Sequence, residues 1–256
     1  MKSTKTSCLK AQIRDVFFEN NQIYGAPKIK IELEKRGCFY SVQWISKLMK
    51  QMNLRSKTIK KFVTTTDSKH HYKINDNLLN RNFSVNQTSK VWVSDITYIK
   101  VADKWNYLTT IIDLADRSVV ASCLSDRMTA EQTTIKAWRI AVQHRCITQP
   151  FIFHSDRGVQ YACTKFRNIL NQNPNVRQSM SRKGDCWDNA VAESFFKSIK
   201  YEYINHVKFK TKQQAEDGIN QYVTWYNTKR IHAAIGYKTP LEKYAQINNI
   251  FYQNVA

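Results

Sequence analysis

The order of strand-like and helix-like segments after residue 90 constrains the fold of this chain more than any other feature. Three runs rich in β-branched and aromatic residues, at 91–101, 107–114 and 118–124, follow one another with short connections and predict an antiparallel meander. Helical patterns then alternate with short strand-like runs at 150–153 and 176–180. This order predicts an α/β fold in which a mixed five-stranded sheet carries helices on both faces.

Residues 1–55 predict a small all-α unit of the helix-turn-helix type. Pro27 and Gly37 suit the start and the end of a second helix, and Ser41 suits the cap of a third. The polar face of that third helix would present a DNA-binding set of side chains, which comprises Gln43, Lys47 and Lys50. A plain helical bundle with a solvated basic face fits the same pattern equally well.

The charge of the chain points to a polyanionic partner. Forty Lys and Arg residues against twenty Asp and Glu leave a net charge of +20, which favours nucleic acid, because bound phosphates neutralise such an excess. A membrane surface is the rival partner, but no apolar run reaches the ~18 residues of a spanning helix. No signal-peptide pattern is visible, so we expect a cytoplasmic protein with six free cysteine thiols.

The remaining segments complete the expected domain organisation. Residues 56–88 lose helical periodicity and are rich in Lys and Arg, which predicts a basic linker. Residues 89–205 contain the mixed sheet, and residues 206–256 predict a helical extension of it.

Two aspartates occupy strand positions that suit a catalytic role. Asp95 shares one face of the first strand with apolar residues, where a carboxylate is costly unless it is paired or bound to a metal. Asp156 follows the fourth strand at its carboxyl end, where ligands of open α/β sheets gather. A buried salt bridge would also explain Asp95, and a turn or helix cap would explain Asp156.

A helical glutamate completes the candidate set. Glu193 shares a helix face with Lys197 and Lys200, and a simple surface Glu–Lys pair is the alternative interpretation. Together with Asp95 and Asp156, it could bind two divalent cations, Mg²⁺ or Mn²⁺, for an in-line phosphoryl displacement. Basic side chains beside the metals would hold the DNA phosphates; these are Lys197, Lys200, Arg182 and Lys183.

Several long motifs resemble the integrase catalytic core of bacterial insertion-sequence transposases, of the type encoded by a second reading frame. The stretches that carry the resemblance are 92–99, 154–161, 179–184, 187–190, 193–196 and 226–232, with 24–27 in the helical unit. The resemblance implies a ribonuclease-H-like fold and an Asp-Asp-Glu catalytic triad at Asp95, Asp156 and Glu193. It also implies metal-dependent DNA cleavage and strand transfer.

One departure from the family concerns spacing. Thirty-six residues separate Asp156 from Glu193, one more than is usual in that family, and we place the extra residue in the loop at 171–176. Such proteins often act as fusions made by frameshifting with the upstream reading frame. We therefore expect assembly as a homo-oligomer on DNA, with the upstream product or a fusion supplying end recognition.

Two other functions fit the same residues. A catalytically inactive DNA-binding relic would keep the basic charge and lack metal binding, although the intact acids argue against it. A structure-specific nuclease on the same fold would hydrolyse DNA without joining ends.

Overall fold

The computed structural model describes residues 2–57 and 72–250, without the side chains of residues 2–4 and 186. The chain divides into two compact units, one of Met1–Lys61 with Tyr201–His206 and the other of Phe62–Lys200 with Val207–Ala256. The helices of the first unit are α1 (Lys2–Glu19), α2 (Ala26–Lys35) and α3 (Val42–Gln51).

The helical unit packs as its apolar spacing predicts. Ile13 and Val16 of α1, Leu33 of α2 and Ile45 of α3 are fully buried. The Ser41 hydroxyl accepts a hydrogen bond from Trp44 N at 3.2 Å and so caps α3. Gly37 follows α2 with a φ of +76°, a left-handed conformation that suits glycine and ends the helix.

The second unit is built on a mixed sheet. Its strands are β1 (Val91–Val101), β2 (Lys104–Asp113), β3 (Val119–Ser125), β4 (Phe151–Ser155) and β5 (Val176–Met180). Among the described residues they form one five-stranded sheet in the order β3-β2-β1-β4-β5. β2 is antiparallel to β1 and β3, whereas β4 is parallel to β1 and β5.

Helices cover this sheet. They are α4 (Lys136–His144), α5 (Val159–Ala162), α6 (Thr164–Leu170), α7 (Ala190–Glu202), α8 (Lys212–Thr228) and α9 (Pro240–Ile247). Trp92 and Val93 point to opposite faces of β1 and both are fully buried, so the sheet is covered on both sides. On one face Trp92 packs against Trp138 and Phe151.

The segment before α4 is not a regular α-helix. A π-helical turn spans Glu131–Ile135, in which Ile135 N donates to Ala130 O, five residues earlier, at 2.9 Å. Thr133 and Thr134 donate their hydroxyls to Thr129 O and Ala130 O, and these side-chain bonds compete with the regular backbone pattern.

The predicted linker falls only partly within the described residues, because residues 58–71 lie outside them. Residues 72–90 form neither helix nor strand, yet this segment is hydrogen-bonded to β5. Asn75 donates to Gln178 Oε1 at 2.8 Å, and Leu78 N donates to Ser179 Oγ at 2.9 Å. This part therefore belongs to the sheet unit.

Two further expectations concern cysteines and membranes. The described cysteine side chains are free thiols, namely Cys8, Cys38, Cys123, Cys146 and Cys163, and the Cys186 side chain lies outside the described set. Within the described ranges, no helix combines the length and apolarity needed to cross a bilayer.

Candidate active site

The two aspartates lie side by side because their strands pair in register. Ser94 of β1 is the partner of Ser155 of β4 in a parallel ladder. Asp95 is the next residue of β1, and Asp156 is the residue directly after β4. Since neighbouring strands lie ~4.8 Å apart, the ladder brings the two carboxylates to the same point of the sheet.

Asp95 is held on β1 in an environment that disfavours its charge. Its Oδ1 accepts a hydrogen bond from Ile96 N at 2.8 Å. Burial and the nearby charges of Asp156 and Glu193 raise the pKa of Asp95 well above its ordinary value, although the Lys200 ammonium opposes this shift.

Asp156 stands at the carboxyl end of β4, where a tight turn fixes its orientation. Its Oδ1 accepts a hydrogen bond from Gly158 N at 2.9 Å. A Cβ added at Gly158 would lie 3.0 Å from that same oxygen. Glycine therefore lets the backbone approach the carboxylate closely.

Glu193 joins the two aspartates from α7. Burial raises the pKa of Glu193, and the charge of Asp156 raises it further against the opposing effect of Lys197. The three carboxylates therefore form one electrostatic group, which we call the acid triad. Each is partly exposed to solvent, so a ligand can reach it.

A network around Asp188 fixes the start of α7 relative to the sheet. The fully buried Asp188 accepts hydrogen bonds from Arg182 N at 2.9 Å, Asn77 Nδ2 at 2.8 Å and Arg81 Nε at 2.8 Å. The bonds from Arg182 and Arg81 hold the pKa of the Asp188 carboxyl well below its usual range. Asn189 next to it donates to Ser94 O at 3.0 Å, directly beside Asp95.

His154 is a neutral, buried side chain on β4, two residues before Asp156. It is fully buried in β4, and its Nδ1 lies 2.8 Å from Ser179 Oγ. Burial lowers the pKa of His154 to about 4, so the ring is uncharged at neutral pH. Sequence reasoning did not single out Asp188, Asn189 or His154, although all three stand in the stretches that carry the family resemblance.

The acid triad has the donor chemistry of a divalent metal site without the geometry of a finished one. Among the described residues, no three His, Cys, Asp or Glu side chains are placed to hold a metal ion. Burial and neighbouring carboxylates raise the pKa of both Asp95 and Glu193, and such a group suits a hard cation, because a bound positive charge would remove the repulsion.

The predicted DNA-binding residues occupy different environments. Lys183 and Lys197 are exposed. Arg182 is half-exposed but donates to Asp188 Oδ1 at 2.7 Å. Lys200 is only 9% exposed and donates to Thr97 Oγ1 on β1 at 2.6 Å, so it faces the sheet rather than solvent. On the helical unit, three predicted residues are exposed along α3, namely Gln43, Lys47 and Lys50.

Family models match most of the chain. A model described as an integrase core domain matches residues 85–186, and a second with the same description matches residues 174–240. A model described as an HTH-like domain matches residues 6–62.

A solved structure shares the fold. The chain is similar to a chain of the simian T-cell lymphotropic virus intasome in complex with the PP2A regulatory subunit B56 gamma, with a TM-score of 0.55 at 13% identity. The match covers 89% of this chain and 72% of the viral one. The likeness supports the integrase-like, ribonuclease-H-like sheet architecture.

The match to three curated relatives covers most of this chain and most of each relative. The transposase for insertion sequence element IS904 of Lactococcus lactis is 35% identical, with 92% of this chain and 94% of the relative covered. Transposase InsF for insertion sequence IS3A of Escherichia coli is 34% identical, with coverage of 88% and 77%. The 31 kDa protein of insertion element IS600 of Shigella sonnei is 34% identical, with coverage of 93% and 89%. The chain therefore belongs to the family of insertion-sequence transposases with an integrase core domain.

Proposed function

We propose that this chain is a DNA transposase that cleaves and joins strands of an insertion sequence through Asp95, Asp156 and Glu193. The observation that carries the proposal is the acid triad itself, in which two strands and one helix bring three carboxylates into mutual repulsion. Membership of the transposase family supports this assignment.

The three carboxylates would act together in this mechanism as metal ligands. Asp95, Asp156 and Glu193 would hold Mg²⁺ or Mn²⁺, and we propose two ions per site. When bound, such ions stabilise charge on the attacking and leaving oxygens of an in-line phosphoryl displacement. The backbone donors Ile96 N and Gly158 N orient the carboxylates of the two aspartates.

Basic residues around the acid triad would hold the DNA. Lys197 stands one helical turn after Glu193 on α7 and is exposed, so its ammonium can attract a phosphate beside the acids. Lys183 occupies the loop before α7 and can act in the same way. The exposed residues of α3 support DNA recognition by the helical unit, which the match to an HTH-like domain favours.

The proposal extends to assembly and location. We assign DNA recognition to residues 1–55, a connecting role to 56–88, catalysis to 89–205 and support of the core to 206–256. Joining two element ends requires at least two copies on DNA, and the product of an upstream reading frame, alone or fused by frameshifting, would supply further end recognition. The site of action is the bacterial cytoplasm, on the nucleoid.

Substitution of the acids tests the function. Asp156→Asn and Glu193→Gln should each lower strand transfer by at least about a hundredfold, since several kcal/mol of transition-state stabilisation would be lost. DNA binding in EDTA should stay within about twofold of wild type, because neither acid needs to contact DNA without metal. The assay follows end-labelled element DNA with Mg²⁺.

A matched control is Asp217→Asn, which removes an exposed carboxylate on α8. Mg²⁺-dependent joining retained in Asp156→Asn or Glu193→Gln would refute the proposal. Labelled ends that are hydrolysed and never joined by the wild type would favour the nuclease. A wild type without turnover and without specific Mn²⁺ binding in calorimetry would favour the inactive relic.

A further inference from the structure

A cavity of ≈ 830 Å³ lies in the sheet unit away from the acid triad. It is open to solvent and is lined by residues 81–86, by the turn that joins β2 to β3 and by six residues between 234 and 246. Leu114 of that turn donates its N–H to Val91 O at 3.1 Å, which places the cavity at the start of β1. Asp95 stands four residues further along the strand, roughly 13 Å away at ~3.3 Å per residue.

The lining of the cavity is basic and contains no acidic residue. Two of its ammonium groups converge on one neutral oxygen, since Lys238 Nζ lies 2.7 Å and Lys243 Nζ 3.4 Å from Gln246 Oε1. Neither ammonium forms an ion pair with a described carboxylate. Arg81 also lines the cavity, but its charge is balanced by Asp185 and Asp188.

Arg117 adds a buried positive charge in a strained position. It lines the cavity from the β2–β3 turn with a φ of +65°, a left-handed conformation that is uncommon for arginine. Its Nη2 donates to Phe83 O at 2.9 Å, whereas Nε and Nη1 are buried without a hydrogen-bond partner. Burial lowers the pKa of this guanidinium.

The neighbouring acids do not neutralise Arg117 by direct pairing. Asp113 and Asp116 are the close carboxylates, and each forms its ion pair with Arg145 at 2.7 Å. Two guanidinium nitrogens that are buried without an acceptor are costly, and an anionic ligand in the cavity would compensate the charge that they carry.

We propose that this cavity binds backbone phosphates of a DNA strand, as a contact separate from the acid triad. Phosphate oxygens would accept from Lys238 and Lys243 and would compensate the charge of Arg117. The volume favours a nucleotide-sized segment over a single ion, since cavities of about 300–1,000 Å³ hold ligands of that size. The inference depends on DNA being the partner, as in the proposed function, and does not depend on the strand-transfer reaction.

Removal of the two cavity ammoniums tests the inference. Full-length Lys238→Gln/Lys243→Gln should bind a fluorescent DNA duplex about tenfold more weakly than wild type in EDTA. The slope of log affinity against log salt should fall by about 2, at ~0.9 per lost phosphate contact. The Lys238→Arg/Lys243→Arg variant keeps both charges and should restore affinity and slope. Fluorescence anisotropy at several salt concentrations measures both quantities.

Lys104→Gln/Lys136→Gln is the matched control, because it removes two exposed ammoniums of the same unit outside the cavity. It should change the affinity by no more than about twofold and leave the slope nearly unchanged. Equal losses in the cavity pair and the control pair would overturn the inference.

Hydrogen–deuterium exchange separates DNA from free phosphate as the source of the ligand. DNA should slow exchange in residues 234–246 of the wild type, and inorganic phosphate at the same phosphate concentration should do so less. Protection by inorganic phosphate without protection by DNA would contradict a DNA contact. Because these assays contain no metal, a failure of strand-transfer chemistry would leave their outcome unaffected.

Discussion

Two clusters of acidic side chains lie on the same sheet, and they differ in whether an arginine of the chain forms ion pairs with them. Asp113 and Asp116, near the end of β2, share Arg145, which forms ion pairs of 2.7 Å with both. We call this group the Arg145 cluster. In the acid triad, by contrast, the charges of Asp156 and Glu193 act on Asp95, and the charge of Asp156 acts on Glu193.

A raised pKa does not by itself separate the two clusters. Burial raises the pKa of Asp113 as it raises that of Asp95, and each is raised further by a neighbouring aspartate. A basic side chain and backbone donors oppose the shift at both aspartates, but Asp113 forms an ion pair with Arg145, whereas Asp95 forms none among the described residues. An acidic site whose carboxylates repel one another and remain accessible to solvent suits a bound external cation. An acidic site whose carboxylates form ion pairs with an arginine of the same chain has a structural role.

The largest effect should come from removing the counter-charge of the Arg145 cluster. Arg145→Gln would leave Asp113 and Asp116, both fully buried, without their cation. Breaking a buried pair in this way typically costs about 3–5 kcal/mol. Urea unfolding followed by circular dichroism at neutral pH should show that loss in the free energy of unfolding.

A surface ion pair provides the control for this variant. Arg139 pairs with Glu131 at 2.8 Å, with 59% and 41% of the two side chains exposed. Arg139→Gln should cost less than about 1 kcal/mol, because solvent screens such pairs. If both variants lost the same stability, the structural assignment of the Arg145 cluster would be wrong.

Substitution of Asp188 should have an intermediate effect and should lower both stability and strand-transfer activity. Asp188→Asn would weaken charged hydrogen bonds from Arg182 and Arg81, at a cost of about 2 kcal/mol. The start of α7 would loosen, so strand transfer should fall while Glu193 itself is unchanged. Unfolding and strand-transfer assays on the same preparation measure the two losses.

The pH dependence of the free energy of unfolding shows whether the charge of Asp188 causes the loss of stability. The depressed pKa of Asp188 stabilises the fold above the ordinary aspartate pKa, and this contribution is lost as pH falls through the lower folded value. The difference in stability between wild type and Asp188→Asn should therefore shrink in acid. A difference independent of pH would show that the carboxylate charge is not what holds α7.

Local patterns in the sequence predict the strands well and the supporting contacts poorly. β1 and β5 have the predicted bounds, and β1 is marked locally by its many β-branched and aromatic residues. Arg81 and Asp188 are 107 positions apart, and no periodicity indicates that they meet. The π-helical turn at Glu131–Ile135 was missed because threonine hydroxyls that bond to the backbone leave no signal in apolar spacing.

The smallest effect should be a gain in stability at the acid triad. Asp95→Asn removes one charge from the repulsive group and should stabilise the protein without metal by about 1 kcal/mol at neutral pH. Because the folded pKa of Asp95 is raised, its contribution to stability is complete below the ordinary aspartate pKa and is lost as pH rises through the folded value. The advantage of Asp95→Asn over wild type should therefore grow with pH in urea unfolding with EDTA, whereas Asp217→Asn should show no such trend.

Saturating Mg²⁺ should reverse the order of stability of the two proteins by stabilising only the wild type, since a bound cation attracts the carboxylates that repel one another without it. A wild type that is more stable than Asp95→Asn in EDTA at every pH would show that the carboxylate is already compensated, as in the Arg145 cluster, and would remove the contrast between the two sites.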